Sequence, residues 1–189
     1  MKMKANIIRF VPGSVLTKLE QANVEIVEGN LKLPDGVYYI SVIERHGKSG
    51  SFSVGLCTGV NVGNCAIAIS ICHDSHNVVT VGKSFEAMYI AVKKLEEVGG
   101  GISIATERSV VACLPLPIAG LMSDQEGNEV AEQLSQLLDK WRELGGAGSL
   151  TELSPLMFTS LVVIPEIRLT DRGLVDVQRG KYIPVLEAR

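Results

Sequence analysis

The sequence predicts a mixed α+β domain: strands clustered into one or two sheets, packed by two main amphipathic helices. Three observations carry this. Short segments rich in β-branched and aromatic residues recur along the chain. Two longer segments carry apolar residues at the three- and four-residue spacing of a helix. The 189 residues are too few for a complete (β/α)₈ barrel, which typically needs about 250.

The elements follow in order. Residues 5 to 11 read as a short strand closed by Pro12-Gly13. Leu16 to Leu33 is mixed in character and ends at the turn Pro34-Asp35-Gly36. Val37 to Ile43 reads as a strand, Gly47 to Gly50 as a turn, and Phe52 to Leu56 as a second strand able to pair with the first as a hairpin. Cys65 to Cys72 is apolar enough for a buried strand, and Val78 to Val81 is a short one. A helix follows, with Ser84 as its cap and Glu86 in its first turn. Its apolar face is Phe85, Met88, Val92 and Leu95, and Gly99-Gly100-Gly101 ends it. Ile102 to Ala105 and Val110 to Leu114 are strands joined at Glu107-Arg108. Ser123 and Glu126 have the spacing of a capping box for a second helix, whose stripe is Val130, Leu134, Leu137, Leu138, Trp141 and Leu144. Past Gly148 come a helical turn near Leu153 and two further strands, Leu161 to Ile164 and Leu174 to Val177.

Lys plus Arg number 18 against 21 Asp plus Glu, a net charge of −3. That balance argues against a nucleic-acid or anionic-membrane partner. No apolar run of signal-peptide or membrane-span length occurs, so a cytoplasmic protein is expected. Cys57, Cys65, Cys72 and Cys113 form no C-x-x-C pair and read as reduced, buried thiols. The mean hydropathy of +0.24 is high for a water-soluble chain. It predicts a large core or an apolar surface that meets another domain or a second copy, as in a homo-oligomer.

Two glycine motifs fail as phosphate sites. Gly82-Lys83-Ser84 has Asn77 where a P-loop needs glycine, and Gly99-Gly100-Gly101 follows a helix instead of opening one. The H-x-E with P-C-x-x-C, H-E-x-x-H and G-x-S-x-G patterns do not occur, nor does an H-x-H pair. What remains is polar and dense: His73-Asp74-Ser75-His76-Asn77 after an apolar strand, and Glu44-Arg45-His46-Gly47 at the end of another. Imidazoles beside a carboxylate can bind a metal, relay a proton or hold a polar substrate. They can equally be a turn whose histidines bond to backbone. Joint action of His73 and His76 requires a turn, because an extended strand points them opposite ways.

Four stretches carry a family resemblance: Val42-Ile43-Glu44-Arg45-His46-Gly47-Lys48, His73-Asp74-Ser75-His76-Asn77, Leu114 to Ser123, and Leu169 to Asp176. In this order they resemble the C-terminal domain of bacterial adenine deaminases, amidohydrolase-superfamily enzymes that hydrolyse adenine to hypoxanthine and ammonia. The resemblance runs from about residue 5 to about residue 178, so residues 1–189 are expected as one such domain, with 179–189 a flexible tail. The chain departs from the family at Ile69-Ser70-Ile71-Cys72, where small residues are expected. The resemblance implies an upstream (β/α)₈ barrel as partner, adenine as its substrate, and a manganese or iron ion that generates the attacking hydroxide. The ligands of that metal lie outside this sequence, and none is expected in the isolated chain. It further implies that His73, Asp74, His76, Arg45 and His46 form a polar surface facing the barrel's cleft, with Asp74 orienting a histidine. The chain alone is then expected to be inactive. The alternative is a stand-alone domain that binds a small molecule or a protein without catalysis.

Overall fold

The computed structural model describes residues 1–187. Their strands are β1 (Lys2–Phe10), β2 (Thr17–Val27), β3 (Asn30–Lys32), β4 (Tyr38–Ile43), β5 (Phe52–Thr58), β6 (Ala66–Ile69) and β7 (Val78–Gly82). Helix α1 (Phe85–Val98), β8 (Gly101–Ala105), β9 (Val110–Pro115), α2 (Gly127–Glu143) and α3 (Leu150–Leu153) follow. A 3₁₀ turn (Ser154–Phe158) leads to β10 (Ile167–Thr170), β11 (Gly173–Asp176), β12 (Lys181–Ile183) and β13 (Leu186–Glu187). The expected mixed α+β architecture is what forms.

One large sheet has the order β3-β2-β1-β5-β4-β7-β6-β8-β9, with β13 added beside β1, and β10-β11-β12 make a small second sheet. Pairing in the large sheet is antiparallel except between β1 and β5. The β4–β5 hairpin forms with Ile43 opposite Phe52. One face of the sheet holds the main core, where Ile8, Ile40, Ile67 and Ile104 meet Leu137 and Trp141 of α2 and Leu169 and Leu174 of the small sheet. Helix α1 lies on the other face, over β6, β7 and β8.

Helix α1 is capped as expected: the Ser84 hydroxyl accepts from the Ala87 N–H, and Gly99 adopts a left-handed φ of 83°. Its buried face is Ala87, Met88, Ala91 and Leu95, while Phe85 is exposed. The physical reason lies beneath the helix, where the sheet offers Ala66, Ala68 and Gly82. A Cβ on Gly82 would come within 2.9 Å of the Ala66 Cβ and 3.0 Å of Met88. Small residues on both sides let helix and sheet approach closely, so alanines and not Phe85 face inward.

Three expectations need correction. Ser123 does not cap α2; its hydroxyl accepts from Gln125 N–H, and the helix starts at Gly127 with no side-chain cap. The mixed stretch 16–33 is two strands whose exposed and buried positions do not alternate cleanly. Residues 161–164 form turns, not a strand. The cause is Arg168, fully buried, which donates to Ile164 O at 2.8 Å, Phe158 O at 2.9 Å and Val15 O at 2.5 Å. Those carbonyls bend inward to the guanidinium instead of pairing with a neighbouring strand. Burial pulls the Arg168 pKa down to about 10, which leaves it charged.

Within 179–189, residues 181–183 and 186–187 are strands, and the last two residues lie outside the described part. Cys57, Cys65 and Cys72 are buried, Cys113 is half-buried, and all four are free thiols. Burial raises their pKa values, so they stay protonated and unreactive. Among the described residues no helix is long and apolar enough to cross a membrane.

Candidate functional site

The two polar clusters of the sequence meet because β4 and β7 are neighbours. Ile43 lies opposite Val78, which sets Glu44-Arg45-His46, leaving β4, beside His73 to Asn77, entering β7. The hairpin between β8 and β9 does not reach this point, but the loop after β9 does. Ser70 ties that loop down by donating to Gly120 O at 2.5 Å and accepting from Gly101 N–H at 2.7 Å.

The histidine segment is a turn. His76 N–H donates to Cys72 O at 2.6 Å, and His76 itself has a φ of 51°. This brings the His73 and His76 rings edge to face with centroids 5.3 Å apart. His73 stacks on Phe158 at 5.1 Å, and its N–H donates to Met157 O at 2.7 Å. Ser160 supports the turn from below, meeting Cys72 Sγ at 3.0 Å and Ser75 Oγ at 3.2 Å. Asn77 reaches Asp171, which also accepts from Ser51 Oγ at 2.6 Å.

Arg45 is the clamp between loops. Its Nε donates to His76 O at 2.6 Å and its Nη2 to Ala119 O at 2.7 Å. Both acceptors belong to non-glycine residues with left-handed backbones, His76 and Ala119, whose φ is 58°. Such conformations cost energy unless the surroundings hold them, and one guanidinium holds both. Gly120 completes the fit, since a Cβ there would stand 2.9 Å from the Arg45 guanidinium carbon. Partial burial lowers the Arg45 pKa.

His46 contacts Ser75 O through Nε2 at 2.7 Å. A carbonyl only accepts, so Nε2 carries the proton and the neutral ring is the Nε2–H tautomer. Glu44 accepts four backbone N–H bonds, from His46, Lys48, Ser49 and Gly50. They pull its pKa to about 2. Glu44 is therefore committed to shaping its loop and is no proton donor near neutrality.

Five residues expected to act together, His73, Asp74, His76, Arg45 and His46, do converge, with one change of role. Asp74 sits exposed at the tip of the turn and makes no hydrogen bond among the described residues, so it orients neither imidazole. The His73 ring is held instead by its stacking on Phe158. His76 is held below its ordinary pKa by burial first, then by the positive charge of His73 and Arg45, with Asp74 opposing. Its Nδ1 is buried and unpartnered among the described residues. Beside Arg45 a cleft of about 480 Å³ opens, walled by Ile43, Val78, Val92 and Leu95. The histidine rings do not line it.

Among the described residues no three His, Cys, Asp or Glu side chains gather closely enough to hold a metal ion. Two rings 5.3 Å apart with the carboxylate turned outward do not fit a metal site. The surface can donate and accept hydrogen bonds and pass a proton near neutral pH. Sequence reasoning missed Phe158 and Ser160, which carry no local motif. The Ala119-Gly120 loop and Asp171 had a signal, since both lie within the two later stretches of family resemblance.

Residues 14–181 match the family described as adenine deaminase C-terminal domain. The adenine deaminase 2 of Carboxydothermus hydrogenoformans is 40% identical over 184 residues, covering 96% of this chain and 32% of the relative. The adenine deaminase of Nitratidesulfovibrio vulgaris is 39% identical over 183 residues, 96% of this chain and 32% of the relative. That of Halalkalibacterium halodurans is 38% identical over 182 residues, 95% and 31%. The chain thus spans about a third of the length of the curated relatives it matches.

Proposed function

Since the chain belongs to the adenine deaminase C-terminal domain family, we propose that it supports the hydrolytic deamination of adenine to hypoxanthine and ammonia. The chemistry is that of an upstream amidohydrolase barrel, in the cytoplasm, as a step of purine metabolism. The manganese or iron ion and its ligands belong to that barrel. His73, His76, Arg45, His46 and Asp74 are the surface that faces its cleft.

The observation that supports this reading is the meeting of the two motif clusters at one end of the large sheet. At that end β4 and β6 finish and β5 and β7 begin. β1 begins there too, being parallel to β5. It lies three strands from β7, roughly 14 Å at ordinary strand spacing. In a longer relative the polypeptide preceding this part joins at the start of β1, and so arrives beside the histidine turn. Each residue then has a task. Arg45 fixes the height of the turn, Phe158 fixes the plane of His73, and His76, kept neutral, offers a hydrogen bond or takes a proton without a charged competitor.

The test is a chimera in which this chain replaces the matching third of the Carboxydothermus relative. His73→Ala with His76→Ala should lower kcat roughly 10–100-fold, as lost outer-sphere support does, with little change in melting temperature. His73→Asn with His76→Asn keeps the polarity and should recover part of the loss. Unchanged turnover with lowered thermal stability would show that the histidines only shape the loop.

A further inference from the structure

Between Arg108 and Asp124 the chain carries no charged residue. Part of this run is β9, and the rest is the loop that follows it. The loop closes on itself. Ile118 N–H donates to Met122 O and Met122 N–H to Ile118 O, both at 3.1 Å, and Leu121 N–H donates to Ile118 O at 3.0 Å. Residues paired in this way across an antiparallel bridge turn their side chains to the same side. Ile118 and Met122 therefore make one apolar knob, 44% and 57% exposed. Beneath the knob the loop is braced on three sides. Arg45 holds Ala119 O, and the fully buried Ser70 holds Gly120 O. Gly100 packs so closely that a Cβ on it would stand 2.4 Å from Gly120 Cα. These supports fix the backbone and leave the tip bare.

We propose that this knob docks the domain onto the polypeptide that precedes it in the longer relatives, seated in an apolar recess of that polypeptide. The docking rests on the deaminase reading and adds the side chains that hold the two parts together. Three observations favour this occupant. The chain covers 32% of the Carboxydothermus relative, so most of that protein lies outside the matched part. The preceding polypeptide joins at the start of β1, and the loop reaches back to Arg45 at the end of β4. These two strands are separated only by β5, so their ends lie roughly 10 Å apart at ordinary strand spacing. Arg45 also binds the loop and the histidine turn with one guanidinium, so whatever seats the knob sets the height of His76 as well. The knob suits such a contact. Charged residues are depleted at the centre of an interface, and this run has none. A loop already fixed at its base loses little freedom on docking, and the flexible thioether of Met122 adapts to the recess it enters.

Hydrogen peroxide reads the contact at Met122, because a thioether must be reached to be oxidised to its sulfoxide. In the isolated chain Met122 should oxidise nearly as fast as free methionine. In the chimera with the Carboxydothermus relative it should oxidise several-fold more slowly. Ile118→Glu should return Met122 of the chimera to the fast rate. The same substitution should leave the melting temperature of the isolated chain unchanged, since it alters only the tip. His73→Asn with His76→Asn should lower turnover of the chimera and leave Met122 protected, so the docking and the catalytic reading fail separately. Met122 oxidised equally fast in the chimera and the isolated chain would overturn the proposal. So would protection in the chimera that Ile118→Glu does not relieve. Protection in the isolated chain that grows with concentration would also overturn it, and would assign the knob to a second copy.

Discussion

His76 couples the candidate surface to pH. Its folded pKa lies below the ordinary 6.5 because its ring is partly buried, near the positive charge of His73 and Arg45. At mildly acid pH the unfolded chain therefore binds more protons than the folded one, and stability rises with pH across this window. The stabilisation is present above 6.5 and is lost as pH falls below it. Glu44 acts lower, where stability is lost as pH falls from the ordinary 4.5 towards about 2. His76→Asn removes the imidazole while tolerating the left-handed backbone. Urea unfolding from about pH 8 to about pH 5 should show a flatter dependence for the variant, by less than one proton per chain. An unaltered slope would show that His76 does not titrate on unfolding. At this scale the sequence was informative about membership and silent about contact. His73, His76, Arg45 and His46 stand out as dense polar clusters, but their meeting depends on a pairing between nonconsecutive strands. Arg168 shows no signal at all: one arginine in Ile167–Thr170 looks like ordinary strand alternation, and only the fold reveals the three loops it ties.

Element by element, legibility follows the strength of periodicity and of end signals. Helix α1 was readable from Ser84 to Gly99 because capping is local chemistry. Its inward face was half readable: Met88 and Leu95 are buried as expected, but Ala87 and Ala91 take the places of Phe85 and Val92 because the small residues of the sheet bring it close there. The expected consequence is sharp at Ala91, fully buried against the sheet. Ala91→Leu should cost about 1–3 kcal/mol through overpacking, read as a lower urea midpoint at unchanged slope. An Ala91→Leu protein as stable as the wild type would mean that helix and sheet are not closely packed there. Strands β2 and β3 escaped detection for a related reason. β2 is paired along its length to β1 but to β3 only at its end, so much of it is exposed and its sequence carries charges where a central strand would carry apolar residues.

For the whole molecule, the fold class and the exclusion of a barrel followed from length and patterning, whereas strand order did not. Order depends on which apolar faces find each other after collapse, and many arrangements share one alternation pattern. The high mean hydropathy has a structural counterpart in the exposed side chains of Phe52 on β5 and of Phe85 and Tyr89 on α1. On the proposed reading the chemistry belongs to an upstream barrel, so the chain alone is expected to be catalytically silent. Incubated with adenine and Mn²⁺ or Fe²⁺, the purified chain should release no ammonia above a protein-free control. Sustained metal-dependent release would locate the chemistry in this chain.

The pairing of β1 with β13 also dictates an order of assembly in time. Asn6 donates to Glu187 across 181 positions of sequence, and Lys4 lies opposite Glu187 in the ladder. Within this domain β1 is made first, yet part of the edge it turns to β5 and β13 stays unpaired until β13 has been made. Contacts this remote close slowly, because the intervening chain must be ordered first. During synthesis the exposed edge of β1 is thus the part of this domain that a chaperone has most reason to shield.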